Sequence, residues 1–247
     1  MHNLGQTRSS QQASHVLLTP DTFVRTALPG MKGALAVVHA GVAMGAAFAE
    51  YTAEMEPGGE LGDTAAQRFL YVTQGHITVS VGGKENSLAA RSYAYLPPGT
   101  KHRVTASEPS RVMVIEKSYL AIAGVPAPEV LISSEDAVVA EALDGDTDLQ
   151  VKHLLPDEVR FDFAVNTMVY QPGAALSMVE MHVMEHGLLM LEGGGIYRLG
   201  DCWYPVTAGD FIWMAPWCPQ WFGALGKAPA KYLIYKDWNR HPLTAQK

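Results

Sequence analysis

The sequence is poor in cysteine, in charge and in long apolar runs. Its 247 residues include only two cysteines, Cys202 and Cys218, so a disulfide framework is not expected. Charged residues make up 17%, and the 18 Lys and Arg form no basic stripe that would attract nucleic acid or an anionic membrane surface. No apolar run approaches the ~20 residues of a membrane helix. No basic leader with an apolar stretch opens the chain, so a reducing, cytoplasmic setting is expected.

Short apolar runs divided by glycine and proline fill most of the chain. Residues 1–14 are rich in Gln and Ser and predict a disordered tail, and residues 241–247 predict a second one. From about Leu17 onward, runs such as His76 to Val81 alternate polar and apolar residues. This alternation predicts antiparallel strands with one face in a core and the other towards water.

A second copy of the strand pattern follows 118 residues after the first. The aligned pairs are Gly75 with Gly193, Pro98 with Pro216, and His102 with Gln220. The closing strands, Val112 to Lys117 and Tyr232 to Lys236, align within one residue. We therefore predict an all-β protein of two tandem barrels or jelly rolls, spanning residues 15–120 and 151–240. Residues 121–150 form the predicted connector, with one strand near Leu131 and a helical turn from about Glu135.

Four side chains that can bind a metal lie in the second copy, at Glu180, His182, His186 and, 34 residues later, Gln220. Residues two apart on an extended strand share a face, so Glu180 and His182 are expected side by side. A bend or a paired strand can bring His186 back to them. A carboxylate, two imidazoles and an amide oxygen suit Mn²⁺, or less well Fe²⁺, and leave two positions for water or substrate.

Two other interpretations of this stretch are open. Residues 182–186 read H-x-x-E-H, the motif that inverzincin metalloproteases carry on a helix. Pro172, Gly173 and Gly187 leave little room for such a helix. The histidines could instead satisfy local hydrogen bonds in a barrel interior. Because four ligand-type residues share one spacing, the sequence favours a metal site.

The spacing resembles the cupin family, whose first motif is G-x5-H-x-H-x3,4-E-x6-G and whose second contains P-G-x5-H-x4-N or a shortened form. Glu180 and His182 stand at the two His positions, His186 at the Glu, and Gln220 at the last His. In the first copy the equivalent positions hold Gly62, Thr64, Arg68 and His102. Only His102 could bind a metal there. The resemblance implies two tandem cupin jelly-roll β-barrel domains, the first with a degenerate metal site.

Nearly the whole chain is similar to the (S)-ureidoglycine aminohydrolase family of bicupins. The shared features are Leu-Thr-Pro at residues 18–20, Tyr-x-Pro-Pro-Gly at residues 95–99, and E-x-H-x3-H with a distant Gln. The resemblance implies Mn²⁺-dependent hydrolysis of (S)-ureidoglycine to (S)-ureidoglycolate and ammonia, in purine and allantoin catabolism. It implies metal ligands at Glu180, His182, His186 and Gln220. It places Tyr197, Tyr232 and Lys236 in the substrate pocket, with Glu180, Lys236 and Tyr197 taking part in catalysis.

Lys236 has a specific expected role. Tyr232 and Lys236 lie four apart on a predicted strand, on one face with Ile234, and an inward Lys is costly unless it meets an anion. The substrate carboxylate is the natural partner. The alternative is an edge-strand Lys in water.

Cupin motifs accompany many chemistries, so other functions stay open. One is a cupin dioxygenase or isomerase acting on another small polar acid, and another is a non-catalytic bicupin that binds a small ligand. Because paired barrels with apolar outer strands often associate, a homo-oligomer built from dimers is expected.

Overall fold

A computed structural model describes residues 6–240 and shows an almost purely β-stranded protein. Three 3-10 turns, at Pro20–Thr22, Val42–Met44 and Glu135–Ala137, supply its helical content among these residues. In the described part of the chain, no helix has the length and apolarity that a bilayer crossing requires.

The described residues form 21 β-strands, numbered in chain order and grouped here by sevens. The first group is β1 (Ser10–Gln11), β2 (His15–Leu18), β3 (Arg25–Thr26), β4 (Met31–Ala40), β5 (Ala49–Leu61), β6 (Gln67–Gln74) and β7 (His76–Val81). The second is β8 (Lys84–Ala89), β9 (Ser92–Leu96), β10 (His102–Ala106), β11 (Ser110–Lys117), β12 (Leu131–Ser134), β13 (Glu141–Leu143) and β14 (Asp146–His153). The third is β15 (Phe163–Tyr170), β16 (His186–Glu192), β17 (Gly194–Leu199), β18 (Cys202–Thr207), β19 (Phe211–Met214), β20 (Gln220–Ala224) and β21 (Ala230–Asp237).

The N-terminal barrel spans Val24–Val138. Its antiparallel sheet runs β12-β9-β6-β11-β5-β10-β7-β8, and β4 joins it beside β5. Alternate residues of these strands, such as Leu70, Val112 and Val114, point into one apolar core, as the sequence alternation predicts. This interior also receives the side chains that occupy the degenerate site described below.

Among the described residues, the C-terminal barrel comprises residues 6–23 and 139–240. One sheet has the order β1-β2-β19-β16-β21-β15-β14-β13, and a second has the order β18-β17-β20. Side chains from both sheets, such as Leu188 of β16 and Phe222 of β20, form one buried core. The predicted all-β architecture with two tandem barrels is confirmed.

The two barrels repeat the same strand register. His102 pairs with Val81 in the first barrel and Gln220 with Leu199 in the second, so both partners are shifted by the predicted 118 residues. The closing strands differ. Glu116 pairs with Arg68 while Lys236 pairs with His186, so the shift on β21 is 120 residues. The prediction of alignment within one residue is therefore wrong by a small margin, because residues 225–229 form a longer loop than residues 107–109.

The predicted boundaries need correction at three places. Residues 15–23 belong to the C-terminal barrel, because β2 pairs with β19 and buries Val16 and Leu17. The predicted tail is also partly ordered, since Ser10–Gln11 pairs with β2. Residues 1–5 and 241–247 lie outside the described part of the chain. The connector is divided: β12 pairs with β9, whereas β13 and β14 extend the sheet of the C-terminal barrel.

Candidate metal centre and substrate pocket

Three strands of the C-terminal barrel direct polar side chains into its interior. On β16, Leu188 and Met190 belong to the core, so His186, which has the same parity, faces inward with them. The same period places Gln220 of β20 on the face of Phe222, and Lys236 of β21 on the face of Ile234. His186, Gln220 and Lys236 lie at the ends of these apolar stripes. Their side chains therefore lie together at one end of the barrel.

Glu180 and His182 reach this region from a loop. The prediction that they lie on a strand is wrong, because the segment between β15 and β16 pairs only through two isolated bridges, Ala175 with Gly223 and Glu180 with Gln220. The two backbones exchange N–H···O bonds of 2.8 and 2.9 Å. Farther along, the N–H of Trp217 donates to the carbonyl of His182 at 2.7 Å. These backbone bonds hold the loop where a regular strand was expected.

The loop conformation also decides between the interpretations of residues 182–186. They contain no helical turn, and His186 already begins β16. The inverzincin reading is therefore wrong, since its two histidines need a helix to share a face. Glu185, the glutamate of that motif, is buried and accepts a hydrogen bond from the indole of Trp213 at 3.1 Å.

Each predicted ligand contacts at least one other member of the set. His182 Nε2 lies 3.1 Å from Glu180 Oε2, so the expected side-by-side arrangement is present without a strand. The His182 and His186 rings meet edge to face with centroids 5.3 Å apart. The hydroxyl of Tyr197 donates to Gln220 Oε1 over a long 3.4 Å. Within residues 6–240, no three His, Cys, Asp or Glu side chains are already disposed as a metal-binding cluster.

His186 nevertheless fits a metal ligand. Its ring is 2% exposed, and its Nδ1 has no hydrogen-bond partner. Burial, followed by the charges of Lys236 and His182, holds the pKa of His186 well below its usual range. The ring is thus neutral and keeps a lone pair, which is the form that binds a metal. With the carboxylate of Glu180, the ring of His182 and the amide of Gln220, the donors form a set suited to Mn²⁺ or Fe²⁺.

The three predicted pocket residues share the barrel interior. Tyr197 and Tyr232 are almost fully buried, and burial raises the pKa of both phenols well above the usual value. Lys236 is half-buried, and its ammonium makes no hydrogen bond to any described residue. Burial lowers the pKa of Lys236, and the carboxylate of Glu180 acts in the opposite direction. Since β21 lies between β16 and β15, the edge-strand alternative for Lys236 is wrong.

Two contributors to this region were missed from the sequence. The hydroxyl of Tyr170 lies 2.7 Å from that of Tyr232, so the two phenols form a buried pair. Tyr170 ends β15, and its alternation with Met168 was a usable signal. The other contributor is Trp217. Its φ of 66° and its backbone bond to His182 depend on tertiary structure that no local pattern reveals.

The degenerate site of the N-terminal barrel holds no free imidazole ligand. His102 Nδ1 donates to the carbonyl of Thr100 at 2.7 Å, and this bond leaves Nε2 as the acceptor. Arg68 Nη1 donates to that nitrogen at 2.8 Å. The prediction that His102 could bind a metal is therefore wrong, because a guanidinium occupies its lone pair.

Comparison with known proteins shows the family of this chain. The family model for the cupin domain matches residues 51–116 and 166–235. The chain is 40% identical to (S)-ureidoglycine aminohydrolase from Arabidopsis thaliana, covering 97% of this chain and 80% of that protein. It is 30% identical to (S)-ureidoglycine aminohydrolase from Escherichia coli (strain K12), covering 93% and 90%.

A solved structure has the same fold. The crystal structure of protein Ylba from E. coli matches with a TM-score of 0.85 and 28% identity, covering 96% of this chain and 97% of that one. Fold, duplication and sequence identity over nearly the whole length agree. The chain belongs to the (S)-ureidoglycine aminohydrolase family of the cupin superfamily.

Proposed function

We propose that this protein hydrolyses (S)-ureidoglycine to (S)-ureidoglycolate and ammonia, as a step of purine catabolism. The observation that carries the proposal is the convergence of Glu180, His182, His186 and Gln220 beside Lys236 in the C-terminal barrel. The family relationship supplies the substrate, and the side chains supply matching chemistry.

The substrate carries an amine, a ureido nitrogen and a carboxylate on one carbon. Lys236 is an ammonium donor without a hydrogen-bonded partner among the described residues, so its partner would be the substrate carboxylate. Tyr197 and Tyr232 keep their protons, because burial raises the pKa of each phenol. They would donate hydrogen bonds and exclude water from one side of the substrate. Such positioning would present one prochiral face to the incoming oxygen.

The metal of this proposal is Mn²⁺, with Fe²⁺ second, held by Glu180, His182, His186 and Gln220. When bound, a divalent cation would supply Lewis acidity and two adjacent positions for a chelating substrate. The carboxylate of Glu180 is the group that we assign to proton transfer: it would take a proton from the water whose oxygen bonds to carbon and give it to the amine nitrogen as the bond from carbon to that nitrogen breaks. Ammonia would leave with that proton.

The test supplies freshly generated ureidoglycine to the metal-stripped protein and to the protein reloaded with Mn²⁺. Ammonia release and the chirality of ureidoglycolate are measured, with oxygen consumption followed in parallel. We expect Mn²⁺-dependent ammonia release, a single enantiomer and no oxygen uptake. Racemic product at the spontaneous rate would rule out catalysis, and oxygen uptake would favour the dioxygenase alternative.

We also propose that the protein forms a homo-oligomer built from dimers. Several apolar side chains near the site are exposed, including Met178 at 67%, Met181 at 56% and Trp217 at 58%. A cluster of this kind is typical of an association surface. Light scattering after size-exclusion chromatography tests the proposal, and a monomeric mass would contradict it.

A further inference from the structure

The N-terminal barrel contains a cavity of about 320 Å³ at its degenerate site. Leu28, Met31 and Leu61 form part of an apolar wall, whereas Arg68 and Glu116 form a polar end. This volume corresponds to a small organic molecule. The cavity therefore has the size and mixed lining of a binding site, in the barrel that lacks the predicted metal ligands.

The guanidinium of Arg68 donates four hydrogen bonds within the protein. The side chain is 6% exposed, and its Nη1 donates both to the carbonyl of Gly62 at 2.6 Å and to His102 at 2.8 Å. Nε and Nη2 donate to Glu116 Oε1 at 2.8 and 2.6 Å. A guanidinium has five N–H groups, so one N–H on Nη2 remains beyond these four bonds, beside the hydroxyl of Tyr51.

The two carboxylate oxygens of Glu116 accept different numbers of hydrogen bonds. Its Oε1 accepts both bonds from Arg68 and a third from the Tyr51 hydroxyl at 2.9 Å. Its Oε2 accepts no hydrogen bond from the described residues. The polar end of the cavity therefore offers one strong acceptor and one donor, on adjacent groups of the same ion pair.

The charges around the cavity are compensated. Arg68 and Glu116 neutralise each other, and Asp63 pairs with Lys101 at 2.9 Å. Burial lowers the pKa of His102, so this ring is neutral. A charged ligand would find no unpaired countercharge here, and burying its charge would be costly.

We propose that this cavity is a second ligand site, which binds a neutral molecule through a carboxamide or ureido group. The N–H of such a group donates to Glu116 Oε2, and its carbonyl accepts from the remaining Arg68 N–H. An apolar or short aliphatic remainder packs against Leu28, Met31 and Leu61. The site is separate from the proposed hydrolysis, since every residue in it belongs to the N-terminal barrel.

The test compares methylurea with propionate, a probe of similar size that carries a charge. Binding heat is measured by calorimetry, and tryptophan fluorescence is recorded in the same titration. All five tryptophans lie between Trp203 and Trp238, so fluorescence reports on the C-terminal barrel. We expect methylurea to give saturable heat without a matching fluorescence change, and to bind more tightly than propionate.

Substitution of the acceptor sharpens the test. Glu116→Gln keeps an oxygen for Tyr51 and Arg68 but replaces Oε2 with a donor, and it leaves Arg68 uncompensated. We expect about 10-fold weaker binding of methylurea and tighter binding of propionate. Glu54→Gln is the matched control, because Glu54 pairs with Arg25 outside this cavity and should leave both affinities unchanged.

Two results would overturn the proposal. One is that the unsubstituted protein gives no saturable heat with methylurea, or binds propionate at least as tightly. The other is that a folded Glu116→Gln protein, identified by an unchanged melting temperature, keeps the original preference. Both results are measurements of binding, so they test the second ligand site whether or not ammonia release is observed.

Discussion

Lys236 lies directly opposite His186 on the ladder between β21 and β16. The equivalent pair in the N-terminal barrel is Glu116 opposite Arg68. The closing strand therefore carries a cation beside an imidazole in one barrel and a carboxylate beside a guanidinium in the other. Together with Glu180 and His182, which stand where the first barrel has Gly62 and Thr64, these four side chains give the two barrels different chemistry.

Replacement of Lys236 tests its proposed contact with the substrate. Lys236→Met keeps the aliphatic length and removes the ammonium, so kcat/KM for ammonia release should fall about 10- to 100-fold. Lys227→Met, in an exposed loop, is the control and should leave the rate unchanged. Steady-state kinetics on fresh substrate provide the measurement, and equal rates for the two variants would remove Lys236 from the site.

Loss of a predicted ligand should be visible in metal content. After reloading with Mn²⁺, His186→Ala should retain much less metal than the unsubstituted protein, because a buried donor is lost. His153→Ala removes an exposed imidazole of β14 and should retain normal metal content. Elemental analysis after gel filtration measures this without reference to activity. Normal metal content in His186→Ala would contradict the ligand assignment.

The strands and the inward residues were accessible from the sequence because period-two alternation is a local property. It located Tyr232 and Lys236 on one face of β21, where the structure also has them. The same reasoning failed for Glu180 and His182. Met178 and Met181 give that stretch an apolar, strand-like composition, yet both are exposed in a loop. Composition shows which segments are strand-like. Whether such a segment forms a strand depends on a neighbouring strand with which its backbone can pair.

Long-range partners were outside the reach of the sequence. Arg8 makes two hydrogen bonds to the carboxylate of Asp210, which lies 202 residues away in the chain. A polar segment that looked disordered is therefore fixed by one ion pair and by the pairing of β1. No spacing or motif near either residue signals this contact.

Removal of the Arg8 contact should destabilise the C-terminal barrel. Asp210 is fully buried, so Arg8→Ala leaves its carboxylate with one remaining donor, the N–H of Thr207. We expect a loss of about 1–3 kcal/mol in the free energy of unfolding. Arg25→Ala breaks the exposed pair with Glu54 and should cost less than about 1 kcal/mol. Urea titration distinguishes them, and equal losses would contradict the role of burial.

Glu50 is the most isolated carboxyl group in the described part of the chain. It is 0% exposed on β5, and neither oxygen has a hydrogen-bond partner. Burial raises the pKa of Glu50 well above its usual value of 4.5. The neutral acid is therefore the form that the folded state accepts, and ionisation favours unfolding.

The sign of the resulting pH dependence follows from linkage. Below pH 4.5 the acid is protonated in both states, and above it only the unfolded state ionises, so stability falls by up to about 1.4 kcal/mol per pH unit until the raised pKa is reached. Glu50→Gln cannot ionise, so its stability relative to the unsubstituted protein should increase steadily from pH 4.5 upward. Glu85→Gln, on exposed β8, should show no such trend. Urea unfolding across this pH range measures both, and a difference for Glu50→Gln that is independent of pH would show that the pKa of Glu50 is not raised in the folded protein.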